Sequence, residues 1–262
     1  MDRLVVNLSV IFTEVPLIER FALAKQAGFN HVEIQFPYEL SISDIQQQLH
    51  EHNLTLCLIN VPVGDLFTGG VGLAGAPHKE HEFSQALDLA IEYAVALNVK
   101  RVNILAGKQT DGIDYETCFN TFVSNLKIAC ERLSAHQIMP LFEMINGITM
   151  PNFLVQTISQ AQHVIKAVAC PELKMQFDCF HMAMMNENIE HQLTANISNI
   201  GHIQFADSPA RHEPDTGSID FKGFFNSIND VIKQNEYQGY IAAEYLPATS
   251  SLASFAWKTK YF

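Results

Sequence analysis

Short apolar runs alternate with longer segments of helical period from near the start of this chain to near its end, and no other feature restricts the fold as much. Eight runs read as strands: Leu4–Leu8, His31–Phe36, Thr55–Asn60, Arg101–Leu105, Met139–Glu143, Leu173–Asp178, Ile200–Ala206 and Tyr240–Glu244. The first helical segment carries Leu17, Ile18, Phe21 and Ala24 on one face. It starts beside Pro16 and stops before Gly28, where a left-handed cap is favoured. Further helices are expected in "DIQQQLHEH" after Ser43, and over Phe83–Leu97, Tyr115–Ala135, Asn152–Val168, Met182–Ala195 and Phe221–Asn235. Strands spaced by helix-length segments build parallel units. Eight such repeats in 262 residues predict an α/β (β/α)8 TIM barrel, a single domain over residues 1–262. An open doubly wound sheet is the rival, and the count of eight favours closure.

No Pro/Gly/Ser-rich linker or charge run divides the chain, and 48% apolar residues suffice for one large core. The formal charge of −12 repels a phosphate backbone, so nucleic acid is not an expected partner. No apolar stretch reaches the roughly eighteen residues that span a bilayer, so no membrane is expected. The opening "MDRLVVNLSVIFTEVP" is a poor signal peptide and a plausible first strand. Cys57, Cys118, Cys130, Cys170 and Cys179 are scattered, without CxxC spacing, which points to reduced thiols and a cytoplasmic location. The expected partner is a small molecule. A homo-oligomer is left open.

Barrel enzymes work at the C-terminal ends of their strands. Four late strands carry an oxygen-bearing side chain at or near that end: Glu143 in "PLFEMIN", Asp178 in "MQFDCFH", Gln204 in "HIQFADS" and Glu244 in "YIAAEYLP". Alternation sends His202, Gln204 and Ala206 to one face and Ile203 and Phe205 to the other. Three carboxylates converging on one point repel, and at least one pKa must rise. A divalent cation removes the conflict. Carboxylate and amide oxygens without thiolate suit Mg²⁺ or Mn²⁺ better than zinc. Two alternatives stand beside this one: strand-end residues facing solvent, and a metal-free site with one carboxyl protonated as a general acid.

The loops add candidates. Arg211 can grip a carboxylate in a bidentate fork. Glu213 can orient Arg211 or contact substrate hydroxyls, and a solvated surface ion pair is the plain alternative. His181, three residues after Asp178, is a candidate for a substrate hydrogen bond. "GVGLAG", Gly70 to Gly75, matches a dinucleotide-binding pattern but lacks the tight strand–turn–helix that the pattern requires. It reads as a mobile glycine-rich loop, a candidate lid. His50, His52, His78 and His81 read as surface residues. No G-x-S-x-G, H-E-x-x-H or P-loop is present.

Several stretches resemble the hydroxypyruvate isomerase family within the xylose-isomerase-like barrels: "NLSVIFTEVPLIERFALAKQAGFNHVEIQFPYE", "VPVGDLFTGGVGLAGAPHKEHEF", "FEMIN", "MQFDCFHM", "GHIQFADSPARHEPDTG" and "YQGYIAAEYLP". The resemblance spans nearly the whole chain. It implies that Glu143 and Glu244 are the proton donor and acceptor. It also implies that Glu143, Asp178, Gln204 and Glu244 hold a divalent metal, and that His181 and Arg211 contact substrate. Met144, Asn152, Ala183, Ala210 and Ser218 depart from the family pattern without touching those positions. The implied reaction interconverts hydroxypyruvate and tartronate semialdehyde, or acts on an analogue such as 2-oxo-tetronate. Proton transfer through an enediolate and a hydride shift are both open. A ketose epimerase of the same barrel class, a phosphodiester-cleaving barrel and a non-catalytic sugar-acid-binding barrel are the competing functions; the negative charge disfavours the second.

Overall fold

The computed structural model describes residues 3–234 and 236–262. Met1 and Asp2 of the opening segment, and Asn235 at the expected end of the last predicted helix, lie outside the described residues. In chain order the strands are β1 (Leu4–Asn7), β2 (His31–Glu33), β3 (Thr55–Leu56), β4 (Ile59–Asn60), β5 (Arg101–Ile104), β6 (Met139–Glu143), β7 (Lys174–Asp178), β8 (Ile200–Phe205) and β9 (Ile241–Ala243). The helices are α1 (Leu17–Gln26), α2 (Ile42–Glu51), α3 (Glu80–Ala96), α4 (Tyr115–Ser134), α5 (Ile158–Val168), α6 (Cys179–Met184), α7 (Ile189–Ala195), α8 (Phe221–Lys233) and α9 (Ala256–Tyr261). The chain divides into two compact units, Met1–Leu58 with Phe177–Phe262, and Ile59–Gln176.

In the first unit the strand order is β3-β2-β1-β9-β8, followed by the end of β7. β1 pairs in parallel with β2 and with β9, and β8 pairs in parallel with β9. One strand face is apolar at its base, where Val5, Cys57 and Ala242 pack together against Tyr240. The opposite face of β8 packs on helices. The Phe205 ring lies 5.2 Å from that of Phe225 on α8 and 5.1 Å from that of Trp257 on α9, both edge-on. Alternation within β8 thus sends Phe205 outward and Gln204 inward. Phe205 is fully buried, and truncating it to alanine costs about 3–5 kcal/mol.

In the second unit the order is β7-β6-β5-β4, with the first part of β7 at one end. β4 pairs with β5, β5 with β6 and β6 with β7, all in parallel. The expected run Thr55–Asn60 is interrupted at Cys57–Leu58: Thr55 and Leu56 pair with β2, while Ile59 and Asn60 pair with β5. Among the described residues, eight expected runs therefore give nine strands.

The helices differ from expectation where local caps outweigh hydrophobic period. The run Asn152–Val168 is helical only from Ile158. Asn152 sits at φ 63°, Phe153 bridges to Lys108, and a capping box between Thr157 and Gln160 starts the helix late. Met182–Ala195 becomes two helices, because Asn186 turns left-handed at φ 57° and the Asn188 side chain caps α7 through the His191 N–H. No described helix is long and apolar enough to cross a membrane.

Candidate active site

Strand register in the first unit decides which polar side chains meet. Asn7 lies opposite Glu33, Val5 opposite Ala242, and Gln204 opposite Ala242. Side chains two apart share a face, so Asn7, Glu33, His202, Gln204 and Glu244 are brought to one side. All five are buried.

Glu244, just past β9, is ringed by donors. Asn7 Nδ2 donates to Oε2 at 2.7 Å, and Gln204 Nε2 donates to the same oxygen. Gln35 Nε2 and an Arg211 NH2 group donate to Oε1 at 3.1 and 2.7 Å. A carboxylate offers about four lone-pair sites, and these four N–H groups can occupy them. Glu33 forms a second centre beside it. Its Oε1 accepts from Asn7 (2.9 Å) and Gln204 (2.8 Å), and its Oε2 lies 2.6 Å from His202 Nε2. Each amide nitrogen thus bridges the two carboxylates with one N–H apiece. His202 is on an inward face because Glu33 is there to receive it.

Asp178 ends β7 and starts α6, where its Oδ1 accepts the Phe180 N–H at 2.9 Å. Its Oδ2 lies 3.4 Å from Arg211 and 3.7 Å from His181 Nε2. Burial pushes the Asp178 carboxyl up to about 6, against the opposing pull of the Arg211 guanidinium. Burial, aided by Arg211, holds the His181 imidazole well below its usual value, so it is neutral at neutral pH.

Arg211 reaches these groups from a tightly tied loop. Its backbone is left-handed at φ 60°, a conformation that costs a non-glycine residue of order 1–3 kcal/mol. The loop repays this through its ties. Asp207 accepts backbone N–H groups of Ser208, Thr216, Gly217 and Ile219. Asp207 O accepts the Arg211 N–H at 2.9 Å, and Arg211 O accepts the Leu246 N–H at 2.8 Å. Gly217 is required there, since a Cβ would lie 2.1 Å from Ser208 O. The guanidinium stacks over Phe180, 5.1 Å from the ring centre. Glu213 serves the same loop: its Oε2 accepts the Ala248 N–H at 2.9 Å.

In the second unit, Glu143 ends β6 opposite Gln176. Gln176 Nε2 and Asn103 Nδ2 donate to Glu143 Oε2 at 2.8 and 3.0 Å. The Asn103 side-chain oxygen is buried without a hydrogen-bond partner. The loop that contains "GVGLAG" belongs to this unit and is braced. Asp65 Oδ1 accepts the Gly72 N–H, its Oδ2 pairs with Lys79, and Lys108 N donates to Val71 O. The strand before it ends at Asn60 and the next helix starts at Glu80, which leaves no strand–turn–helix for a nucleotide. His50, His78 and His81 are exposed, and His52 is half-buried.

Asp178 and His181 are buried groups of the first unit that could each offer one atom to a metal ion. A carboxylate and a neutral imidazole suit a divalent cation. Gln204 is turned otherwise. Its amide nitrogen faces Glu33 and Glu244, which fixes a donor toward them, and the oxygens of Glu244 already accept four N–H groups.

Sequence reasoning did not single out Glu33, Asn7, Gln35, Asn103 or Gln176. The signal for Glu33 was present: in "HVEIQF" it alternates with buried Val32 and Ile34, on the face shared with Gln35.

A family model described as xylose isomerase-like TIM barrel matches residues 21–260, and the expected (β/α)8 barrel is the fold. The chain is 37% identical to the hydroxypyruvate isomerase of Escherichia coli (strain K12) over 261 residues, covering all of both chains. It is 34% identical to the 2-oxo-tetronate isomerase of Cupriavidus necator, covering 100% of this chain and 99% of that one. A crystal structure from Brucella melitensis described as an AP endonuclease, family 2, superposes with a TM-score of 0.93 at 34% identity, covering 100% of this chain and 99% of that one.

Proposed function

The chain belongs to the xylose isomerase-like TIM barrel family, and on that premise we propose that it interconverts the aldose and ketose forms of a small 2-oxo or hydroxy acid. Full-length relatives named as isomerases of hydroxypyruvate and 2-oxo-tetronate support an isomerase of small hydroxy acids. Hydroxypyruvate, giving tartronate semialdehyde, is the proposed substrate, and 2-oxo-tetronate the nearest analogue. The observation that carries this reading is the pairing of a buried carboxylate, Glu244, with a guanidinium, Arg211, that is only partly covered. One can move a proton, and the other can recognise an acid.

In this reading Glu143 and Glu244 are the acid/base pair. One removes the proton from the carbon beside the carbonyl, and the same or the opposite one returns it to the neighbouring carbon. Each such group contributes about a hundred- to ten-thousand-fold. Arg211 binds the substrate carboxylate, and the neutral His181 hydrogen-bonds a substrate oxygen. Glu213 acts on substrate through the loop it braces. A divalent cation, Mg²⁺ or Mn²⁺, would be held by Asp178 with His181 beside it, and would polarise the substrate's carbonyl and hydroxyl oxygens. Gln204 and Glu244 join that set only if their hydrogen bonds rearrange. The single family model over 21–260 supports reading residues 1–262 as one domain. The five scattered cysteines, without CxxC spacing, support a cytoplasmic setting.

The Brucella structure's description raises phosphodiester cleavage as a second reading, and the −12 charge opposes it, because a nucleic-acid backbone meets a surface of its own sign. Proton NMR of hydroxypyruvate in deuterated buffer, with and without EDTA, tests the proposal. Turnover with solvent deuterium at the receiving carbon is expected. No turnover of any 2-oxo acid would end it, and turnover without deuterium would replace proton transfer by a hydride shift.

A further inference from the structure

Two cysteines of the second unit meet although they are far apart in the sequence. Cys130 lies near the end of α4, and Cys170 comes just after α5. α5 closes on Ala169, left-handed at φ 54°, and the Leu173 N–H donates back to Cys170 O at 3.2 Å. This turn brings the Cys170 side chain to α4, where it hydrogen-bonds the side chain of Cys130. The Cys170 S–H donates to Glu172 Oε2 at 3.2 Å, so Cys130 supplies the proton between the two sulfurs. Access to the two differs. Cys130 is buried, whereas Cys170 is half-buried between exposed Ala169 and exposed Pro171 and Glu172. Burial, aided by the bond to Cys170, pushes the Cys130 thiol above its usual range, so it stays protonated at neutral pH. The other cysteines are placed otherwise. Cys118 is buried near the start of α4. Cys57 and Cys179 belong to the first unit, and their thiols donate to Thr55 O and Ala206 O at 3.8 and 3.6 Å.

We propose that Cys130 and Cys170 form a redox modification site, which hydrogen peroxide converts to a disulfide joining α4 to the turn that leads into β7. The site is independent of the isomerase reading. Peroxide meets Cys170 first, because that sulfur is the accessible one. The Cys170 sulfur attacks one peroxide oxygen. The O–O bond breaks, an S–O bond forms, and the products are a sulfenic acid and one water. The Cys130 sulfur then attacks the sulfur of Cys170. The S–O bond breaks, the S–S bond forms, and a second water leaves with the Cys130 proton. The two thiols together give up two electrons, and the peroxide takes them. Bonding draws the sulfurs from hydrogen-bond contact to about 2.05 Å. That movement falls to the exposed turn, since Cys130 is packed on a helix. Cys130 acts as the resolving thiol, which stops Cys170 from passing to the irreversible sulfinic and sulfonic acids. A disulfide with one sulfur near solvent is of the readily reduced kind, so thiol reductants reverse the modification.

The test uses the full-length protein, reduced, freed of reductant and treated with a small excess of hydrogen peroxide. Remaining thiols are alkylated after unfolding, and peptides are mapped by mass spectrometry without reduction. The expected product is a cross-linked pair of peptides from one chain, joined through Cys130 and Cys170 and lighter by two hydrogens than the reduced pair. Alkylation is lost at these two of the five cysteines and returns after dithiothreitol. Cys170→Ser should abolish the cross-link and leave Cys130 fully alkylated after peroxide, because the accessible first sulfur is gone. Cys130→Ala should leave a sulfenic acid on Cys170 that dimedone captures. If Cys130→Ala fails to fold, the wild-type map and Cys170→Ser decide alone. Three results overturn the proposal: a Cys170 sulfinic or sulfonic acid with Cys130 still alkylated, a disulfide that joins two chains through Cys170, and oxidation of Cys130 in Cys170→Ser. Turnover plays no part in the readout, so each of them leaves the isomerase reading untouched.

Discussion

Two glutamates at strand ends are held in contrasting ways. Glu244, in the first unit, accepts four N–H donors, one of them a guanidinium, and shares two of its amides with a second buried carboxylate, Glu33. Glu143, in the second unit, receives Asn103 and Gln176 on a single oxygen, and both are neutral amides. A cation beside a carboxylate stabilises its charge and weakens it as a base; neutral amides do so less. Residues of the same type, both at strand ends, thus sit in different hydrogen-bonding surroundings, with a guanidinium among the donors to Glu244.

The largest expected effect falls on Glu143, the proposed acid/base group of the second unit. Glu143→Gln should lower kcat by about a hundred- to ten-thousand-fold, the usual value of a positioned acid/base group. The glutamine keeps its size and an oxygen for Asn103 and Gln176, so the loss of stability should stay within the roughly 1–3 kcal/mol that one altered buried polar group costs. Turnover and urea unfolding measure the two. A Glu143→Gln enzyme working at the wild-type rate would erase the contrast between the glutamates.

The next effect probes what stands behind Glu244. Glu33→Leu removes the acceptor for Asn7, Gln204 and His202 at once, and each buried group left without a partner costs about 1–3 kcal/mol. Glu33→Gln keeps one oxygen for the two amides and places an N–H near His202, which can accept it in its other tautomer. Leucine should therefore be the more destabilising by several kcal/mol in urea unfolding. Equal losses would mean that the charge of Glu33, and not its hydrogen bonds, holds the face together.

These contrasts mark what could be read from residues alone. The strands were legible because a core face demands apolar runs, and all eight runs carry strand at the expected place. The helix starts at Ile158 and Ile189 were not, because they depend on a capping box and on left-handed asparagines, which hydrophobic period does not record. Among the candidate residues, Glu143, Asp178, Gln204 and Glu244 stood out as oxygen-bearing residues at strand ends. What they bond to was hidden. Which way an amide turns follows from neighbours on other strands, here Glu33 on β2, and register has to be known before that neighbour can be named.

The smallest effect concerns Asp178, whose charge is neither amply solvated like a surface carboxylate nor fully answered like that of Glu244. Burial raises its folded-state pKa from 3.8 to about 6. A raised acid favours the protonated fold, so wild-type stability from this group should be fully present below about pH 4 and decline as pH rises through about 6. Asparagine removes the titration and can still accept the Phe180 N–H. In chelator-containing buffer, Asp178→Asn should match wild type near pH 4 and exceed it at neutral pH by up to roughly 3 kcal/mol, at about 1.4 kcal/mol per pKa unit. The gain should be smaller than that ceiling, because asparagine also surrenders the contact with Arg211 at 3.4 Å. Urea unfolding at the two pH values reads the difference directly. A variant less stable than wild type at neutral pH would show that Arg211 answers Asp178 as fully as it answers Glu244, and the guanidinium would then be shared evenly between them.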